Sequence, residues 1–179
     1  ERAHEQAREI LSSLGGDLDK FVMTGAHERS ARALIAHRFV LLLGEPACGK
    51  STIAAALSMA ALDEWGCTTV KVRDADDFVA HWNPNSPKQF FWIDDAFGAT
   101  QLDYSSVASW NRTLPHMQAA VKKGALILLT SRDYIYKAAR EHQAVLLRLQ
   151  SKYERELRHA RGTDFAVTNT DTVGLGTIV

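Results

Sequence analysis

Nine consecutive residues, Gly44-Glu45-Pro46-Ala47-Cys48-Gly49-Lys50-Ser51-Thr52, combine spaced glycines with a Lys-Ser pair. The apolar run Phe39 to Leu43 precedes them and the periodic run Thr52 to Trp65 follows, so the glycines fall on a strand-to-helix turn. In such a turn the backbone N–H groups point inward and can cradle α- and β-phosphates. Lys50 can reach β- and γ-phosphates, and the Ser51 hydroxyl can hold Mg²⁺. These residue types in this order predict a grip for a nucleoside triphosphate; the alternative is a chance Gly-rich turn.

A second apolar run, Phe90-Phe91-Trp92-Ile93, ends in Asp94-Asp95. An acid at the end of a buried strand, following a phosphate loop, is suited to hold the Mg²⁺ shell. Asp94 follows the last apolar residue and is assigned that role, directly or through water, with Ser51 as the other metal ligand. Asp95 is assigned to polarising the attacking water or orienting a neighbour, and the two roles can be exchanged. The alternative is an ordinary strand-to-turn junction. No glutamate stands beside Asp94, so any hydrolysis is expected to be slow.

A third apolar run, Ala125 to Leu129, delivers Thr130-Ser131-Arg132 to the strand end where open α/β sheets place ligand-contacting groups. The rigid guanidinium fork of Arg132 can read a γ-phosphate and lose its contact when that phosphate leaves. The competing reading makes Arg132 a helix-start residue paired with Asp133, with Ser131 as a cap. Arg112 and Arg140 read as surface charges. The catalytic candidates are therefore Lys50, Asp94, Asp95 and Arg132.

These residues must be positioned by alternating elements. Helical patterns are expected over Ala3 to Leu14, Glu28 to His37, Thr52 to Trp65, Asp74 to Trp82, Tyr104 to Val121 (interrupted at Pro115) and Asp133 to His142. Extended segments are expected at Phe21 to Thr24, Phe39 to Leu43, Thr68 to Val72, Phe90 to Ile93 and Ala125 to Leu129. That alternation predicts a three-layer α/β fold with a mainly parallel sheet. The organisation expected is a helical flank at residues 1–20, a nucleotide-binding core at 21–143 and a helical or irregular extension at 144–179.

The chain has 179 residues, 46% of them hydrophobic, enough for one buried core, and its 21 basic and 21 acidic residues cancel. Nothing global points to nucleic acid or an anionic membrane. Between Arg132 and Arg161 eight basic residues face four acidic ones, whereas Asp63 to Asp103 is mainly acidic; a solvated helix face accounts for the basic stretch. Nucleic acid is thus a possible but unsupported partner. There is no run of 18 apolar residues and no signal-like N-terminus. Cys48 and Cys67 suggest neither a disulfide framework nor a zinc site with His27, His37 or His81, and suit a reducing cytoplasm. Trp65, Trp82, Phe90, Phe91, Trp92 and Trp110 lack interleaved basic residues and read as core rather than base-stacking groups. The chain begins on Glu1 and ends on Gly-Leu-Gly-Thr-Ile-Val, as a fragment of a longer protein would.

Phe21-Val22-Met23-Thr24, the 44–52 segment, Phe91-Trp92-Ile93-Asp94-Asp95-Ala96-Phe97-Gly98 and Leu129-Thr130-Ser131-Arg132-Asp133-Tyr134-Ile135 together resemble the novel STAND signal-transduction ATPases, over residues 21–142. These are a branch of P-loop NTPases found in prokaryotic conflict and defence proteins. The resemblance implies an AAA/STAND-like fold, ATP and Mg²⁺ as ligands, Thr24 near the nucleotide base and Arg132 as phosphate sensor. It also implies a homo-oligomer in the full-length protein, with trigger-sensing and effector modules outside this segment. Ala47 departs from the family's more frequent Gly, and is expected to fit if its φ stays negative. An AAA-like motor or loader, a small-molecule kinase and a nucleotide-gated interaction module without hydrolysis remain as alternatives.

Overall fold

The computed structural model describes residues 24–141 and 167–169. The helix expected at Ala3 to Leu14, the segment Phe21 to Met23, residue His142 and most of the 144–179 extension lie outside the described residues. Helix α1 (Gly25–His37) leads into strand β1 (Phe39–Leu43), and helix α2 (Lys50–Asp63) into β2 (Thr68–Val72). A short α3 (Ala75–His81) precedes β3 (Gln89–Ile93), the long α4 (Tyr104–Lys123) precedes β4 (Leu126–Ser131), and α5 (Asp133–Glu141) follows; β5 is Val167–Asn169.

All strand pairings are parallel, in the order β2-β3-β4-β1-β5. Strands buried on both faces read as continuous apolar runs, which is why β1, β3 and β4 were legible as such. Their side chains alternate between two cores. Val40, Leu42, Phe90, Trp92, Leu126 and Leu128 pack under α1 and α2 through Leu34, Ile53, Ala54 and Leu57. Leu41, Leu43, Phe91, Ile93, Ile127 and Leu129 pack against Phe78 of α3, Trp110 and Met117 of α4, and Ile135 of α5. The result is the expected three-layer α/β fold, and the large aromatics serve as core: Phe90, Phe91, Trp92 and Trp110 are all buried.

Helix boundaries depart from expectation where local chemistry decides them. Thr24 caps α1, its hydroxyl accepting the His27 N–H at 3.3 Å, so the helix starts three residues before Glu28. It stops at Arg38, which takes a left-handed conformation (φ 61°) and donates its N–H to the Leu34 carbonyl. Asp103 opens α4 by accepting the Ser105 N–H and the Ser105 and Ser106 hydroxyls, bonds that hold its carboxyl down at about 2. The interruption expected at Pro115 does not occur, and α4 runs through it. Asn111, whose carbonyl loses the Pro115 N–H, is exposed, as is Pro115 itself, so water can take the place of the missing donor.

Candidate functional site

The loop between β1 and α2 is built on an uncapped helix. Gly49 is the N-cap of α2 with φ 89°, no side chain caps the helix, and its first turn holds no acidic residue. A Cβ on Gly49 would meet nothing within 4 Å, so open space lies beside the helix start. A helix start that no side chain caps, with the positive end of its dipole beside open space, is suited to an anion. Lys50 is buried, at 8% exposure, and its ammonium donates to the carbonyls of Gly44 (2.9 Å) and Glu45 (2.8 Å) and lies 3.6 Å from the Cys48 sulfur. Three contacts match its three N–H donors, which is how a buried ammonium is tolerated. Glu45, Pro46 and Ala47 form the exposed rim, and Thr52 is exposed on the first turn of α2.

Ala47 corrects an expectation: its φ is +61°, in the left-handed region rather than the negative range. The loop imposes that conformation on a residue with a Cβ, at a cost of about 1–2 kcal/mol.

The strand-end acids take different positions. Asp94 lies two residues beyond Trp92 and so faces the α2 side of the sheet, where the Ser51 hydroxyl donates to its Oδ1 at 3.4 Å. The same oxygen accepts the Thr130 hydroxyl at 2.6 Å. Thr130 sits opposite Leu42 on β1, is fully buried, and also accepts the Asp95 N–H at 2.9 Å, while its carbonyl accepts the Ala96 N–H at 3.0 Å. The other oxygen of Asp94, Oδ2, faces the Lys71 ammonium at 3.5 Å, and that ammonium stands 4.2 Å from the centroid of the Trp92 ring. Residues from α2, β2, β3 and β4 thus meet at one carboxylate.

Asp95 turns the chain away with φ 46°, and its carbonyl accepts the Gly98 N–H at 3.0 Å. Gly98 has φ 117°, and a Cβ there would collide with the Gln101 carbonyl, so the turn requires glycine. Burial raises the Asp95 carboxyl above its ordinary range, the neighbouring Asp94 adds to the rise, and Arg132, Lys50 and Lys71 oppose it. The two acids take different places: Asp94 faces Ser51, and Asp95 lies on a turn with positive φ.

Arg132 directly follows β4. Its Nη1 donates to the Tyr134 hydroxyl (3.1 Å), which donates to the Thr100 carbonyl (3.0 Å) in the loop after Gly98. Asp133 faces Lys137 at 3.9 Å, and the Ser131 hydroxyl donates to the Arg132 carbonyl. Thr24 lies at the start of α1 as its cap. The structure thus gathers Lys50, Ser51, Asp94 and Asp95, with Arg132 at the same sheet edge. Sequence reasoning missed Lys71 and the role of the Thr130 hydroxyl. The available signal was periodicity: each is a polar residue in an apolar or β-branched strand, on the face shared with Trp92.

Among the described residues no group of three or more His, Cys, Asp or Glu could hold a metal ion, and Cys48 and Cys67 form no disulfide. The adjacent Ser51 and Asp94 oxygens fit a hard cation of the Mg²⁺ class, which takes few protein ligands and completes its shell with water and phosphate. No described helix is long and apolar enough to cross a membrane.

The family model "Novel STAND NTPase 3" matches residues 21–164. Comparison with curated proteins finds no match. Among solved structures, the crystal structure of the DnaC helicase loader is similar at 14% identity and a TM-score of 0.43, covering 64% of this chain and 75% of that one.

Proposed function

The chain belongs to the novel STAND NTPase 3 family, and from that premise we propose that it is an ATP-binding, slowly hydrolysing switch domain of a multidomain antiviral or stress-defence protein. The observation that carries the reading is the meeting of Ser51 with Asp94, 43 residues apart in sequence, beside an uncapped helix start that holds Lys50. In this reading backbone N–H groups of the 44–52 segment, which Pro46 lacks, bind the phosphates. The Lys50 ammonium exchanges the Gly44 and Glu45 carbonyls for β- and γ-phosphate oxygens. Ser51 and Asp94 would hold Mg²⁺, which would supply positive charge against the negative charge of the phosphates. Thr130 fixes the Asp94 carboxylate, and Asp95 orients the attacking water.

Arg132 reads the γ-phosphate and passes its presence, through Tyr134, to the loop at Thr100. Assembly of the full-length protein in its ATP state follows if that contact stabilises one of two conformations. Slow turnover is expected because Asp95 sits on a turn shaped by backbone strain, and no glutamate adjoins Asp94.

Calorimetric titration of wild type, Lys50→Ala and Asp94→Asn with ATP, in Mg²⁺ and in EDTA, tests the assignment. Lys50→Ala is expected to lose at least tenfold in affinity under both conditions, on the scale of one charge-assisted contact. Asp94→Asn is expected to lose only the Mg²⁺-dependent increment. Wild-type affinity in Lys50→Ala would sink the phosphate-loop reading.

A further inference from the structure

One charged contact at the site is used by neither the phosphate grip nor the sensor arginine. Lys71 is the one basic residue of β2 and lies directly across from Trp92 in the parallel register. Its ammonium is fixed twice, over the Trp92 ring at 4.2 Å and against Asp94 Oδ2 at 3.5 Å. The ring attracts the cation electrostatically and the carboxylate supplies the opposite charge. Lys71 and Asp94 are 32% and 27% exposed, so the pair is partly shielded from solvent without being sealed from it. The two Asp94 oxygens are thereby divided. Oδ1 takes the hydroxyls of Thr130 and Ser51, and Oδ2 takes Lys71.

We propose that Lys71 is a resident counter-cation for Asp94, which keeps the carboxylate oriented and makes its occupation by a divalent cation conditional on nucleotide. The inference rests on the assignment of Asp94 to the cation in the preceding section. Without phosphates, a divalent ion arriving at Asp94 meets an ammonium already in place. Repulsion between the two cations then outweighs what a single carboxylate and a hydroxyl offer. A nucleotide brings several negative charges, and the ion enters with it. Lys71 can remain on the Trp92 ring throughout, since its contact with the ring is separate from its contact with Oδ2. It is a positioning residue and touches no reacting atom.

The test uses the 179-residue chain without nucleotide and Mn²⁺ as the probe, with the free ion followed by its paramagnetic resonance amplitude. Lys71→Met keeps the stem over Trp92 and removes the charge, whereas Lys71→Arg keeps the charge. A unit charge this close in a partly solvated setting changes divalent affinity on the order of tenfold. Lys71→Met is therefore expected to bind Mn²⁺ about tenfold more tightly than wild type, with Lys71→Arg close to wild type. Adding Asp94→Asn to Lys71→Met is expected to abolish the gain. Equal or weaker binding by Lys71→Met would overturn the proposal; if Asp94→Asn still lowered Mn²⁺ binding, the cation assignment of Asp94 would stand. A gain that survives Asp94→Asn would overturn it too, and Mn²⁺ binding indifferent to Asp94→Asn in both backgrounds would remove the cation assignment as well.

Discussion

Replacing Thr130 by valine removes one hydroxyl and keeps the branched shape, so it isolates the polar role of a fully buried side chain. That hydroxyl donates to Asp94 Oδ1 at 2.6 Å and accepts the Asp95 N–H at 2.9 Å. A hydrogen bond to a charged group contributes about 1.5–3 kcal/mol, and a buried donor left without an acceptor costs about 1–3 kcal/mol. Asp94 is 27% exposed, which lets water replace part of the first loss and argues for the lower half of both ranges. The expected destabilisation of Thr130→Val is about 2.5–4 kcal/mol. Thr130→Ser keeps both bonds and loses one methyl, about 1 kcal/mol. Urea unfolding at pH 7 without nucleotide measures both, with a common slope as the check that the unfolded state is unchanged. A valine variant as stable as the serine variant would refute the claim that this hydroxyl holds the two acids in place. If stability behaved as expected but Mg²⁺-dependent ATP affinity did not fall in Thr130→Val, the geometry would be structural only.

Two further predictions concern the backbone and charge of the same region. Ala47→Gly relieves a left-handed alanine worth about 1–2 kcal/mol and adds unfolded-state entropy worth about 0.4–1 kcal/mol, a net gain of about 0.5–1 kcal/mol. The melting temperature without nucleotide should rise by about 1–4 °C; a fall would show that the loop does not strain Ala47. Burial beside Asp94 raises the Asp95 carboxyl above its unfolded range, so the folded state holds the proton more tightly. That stabilisation is full below the unfolded carboxylate range and is lost as pH rises through the elevated folded value. Asp95→Asn should flatten this decline in urea midpoints measured between pH 4 and 7, and should exceed wild type in stability at pH 7. Parallel pH profiles for the two proteins would count against a destabilised Asp95 charge.

Strands were the legible part of this chain because their signals are local. Phe39–Leu43 and Thr68–Val72 run between breaks at Arg38, Gly44, Gly66 and Arg73 and have the boundaries expected of them. The long helix after Asp103 was legible in extent but not in continuity, since Pro115 falls on its exposed side, a fact of packing that sequence does not contain. Lys50, Ser51 and Asp94 could be named because each has a fixed place relative to a strand end. Lys71 and the bond of the Thr130 hydroxyl to Asp94 could not, because what brings them there is the strand order, in which β3 lies between β2 and β4 and β1 lies beyond β4.

Backbone strain was equally hidden, and its placement bears on how the site works. Apart from the helix-capping Arg38, the non-glycine residues with positive φ are Ala47 and Asp95 among the described residues. One lies in the loop between β1 and α2 and the other beside the carboxylate that faces Ser51. Such conformations persist only where the surroundings over-determine them. For Asp95 the constraints are visible: Thr130 holds its N–H, Gly98 holds its carbonyl, and Gly98, without a Cβ, lets the Gln101 carbonyl close over the turn. Stability is thereby lowered in the nucleotide-free state at the two segments a phosphate-bearing ligand would touch. A ligand that satisfies the loop N–H groups and neutralises charge around Asp95 would recover part of it, so binding and stabilisation should be strongly linked in this domain.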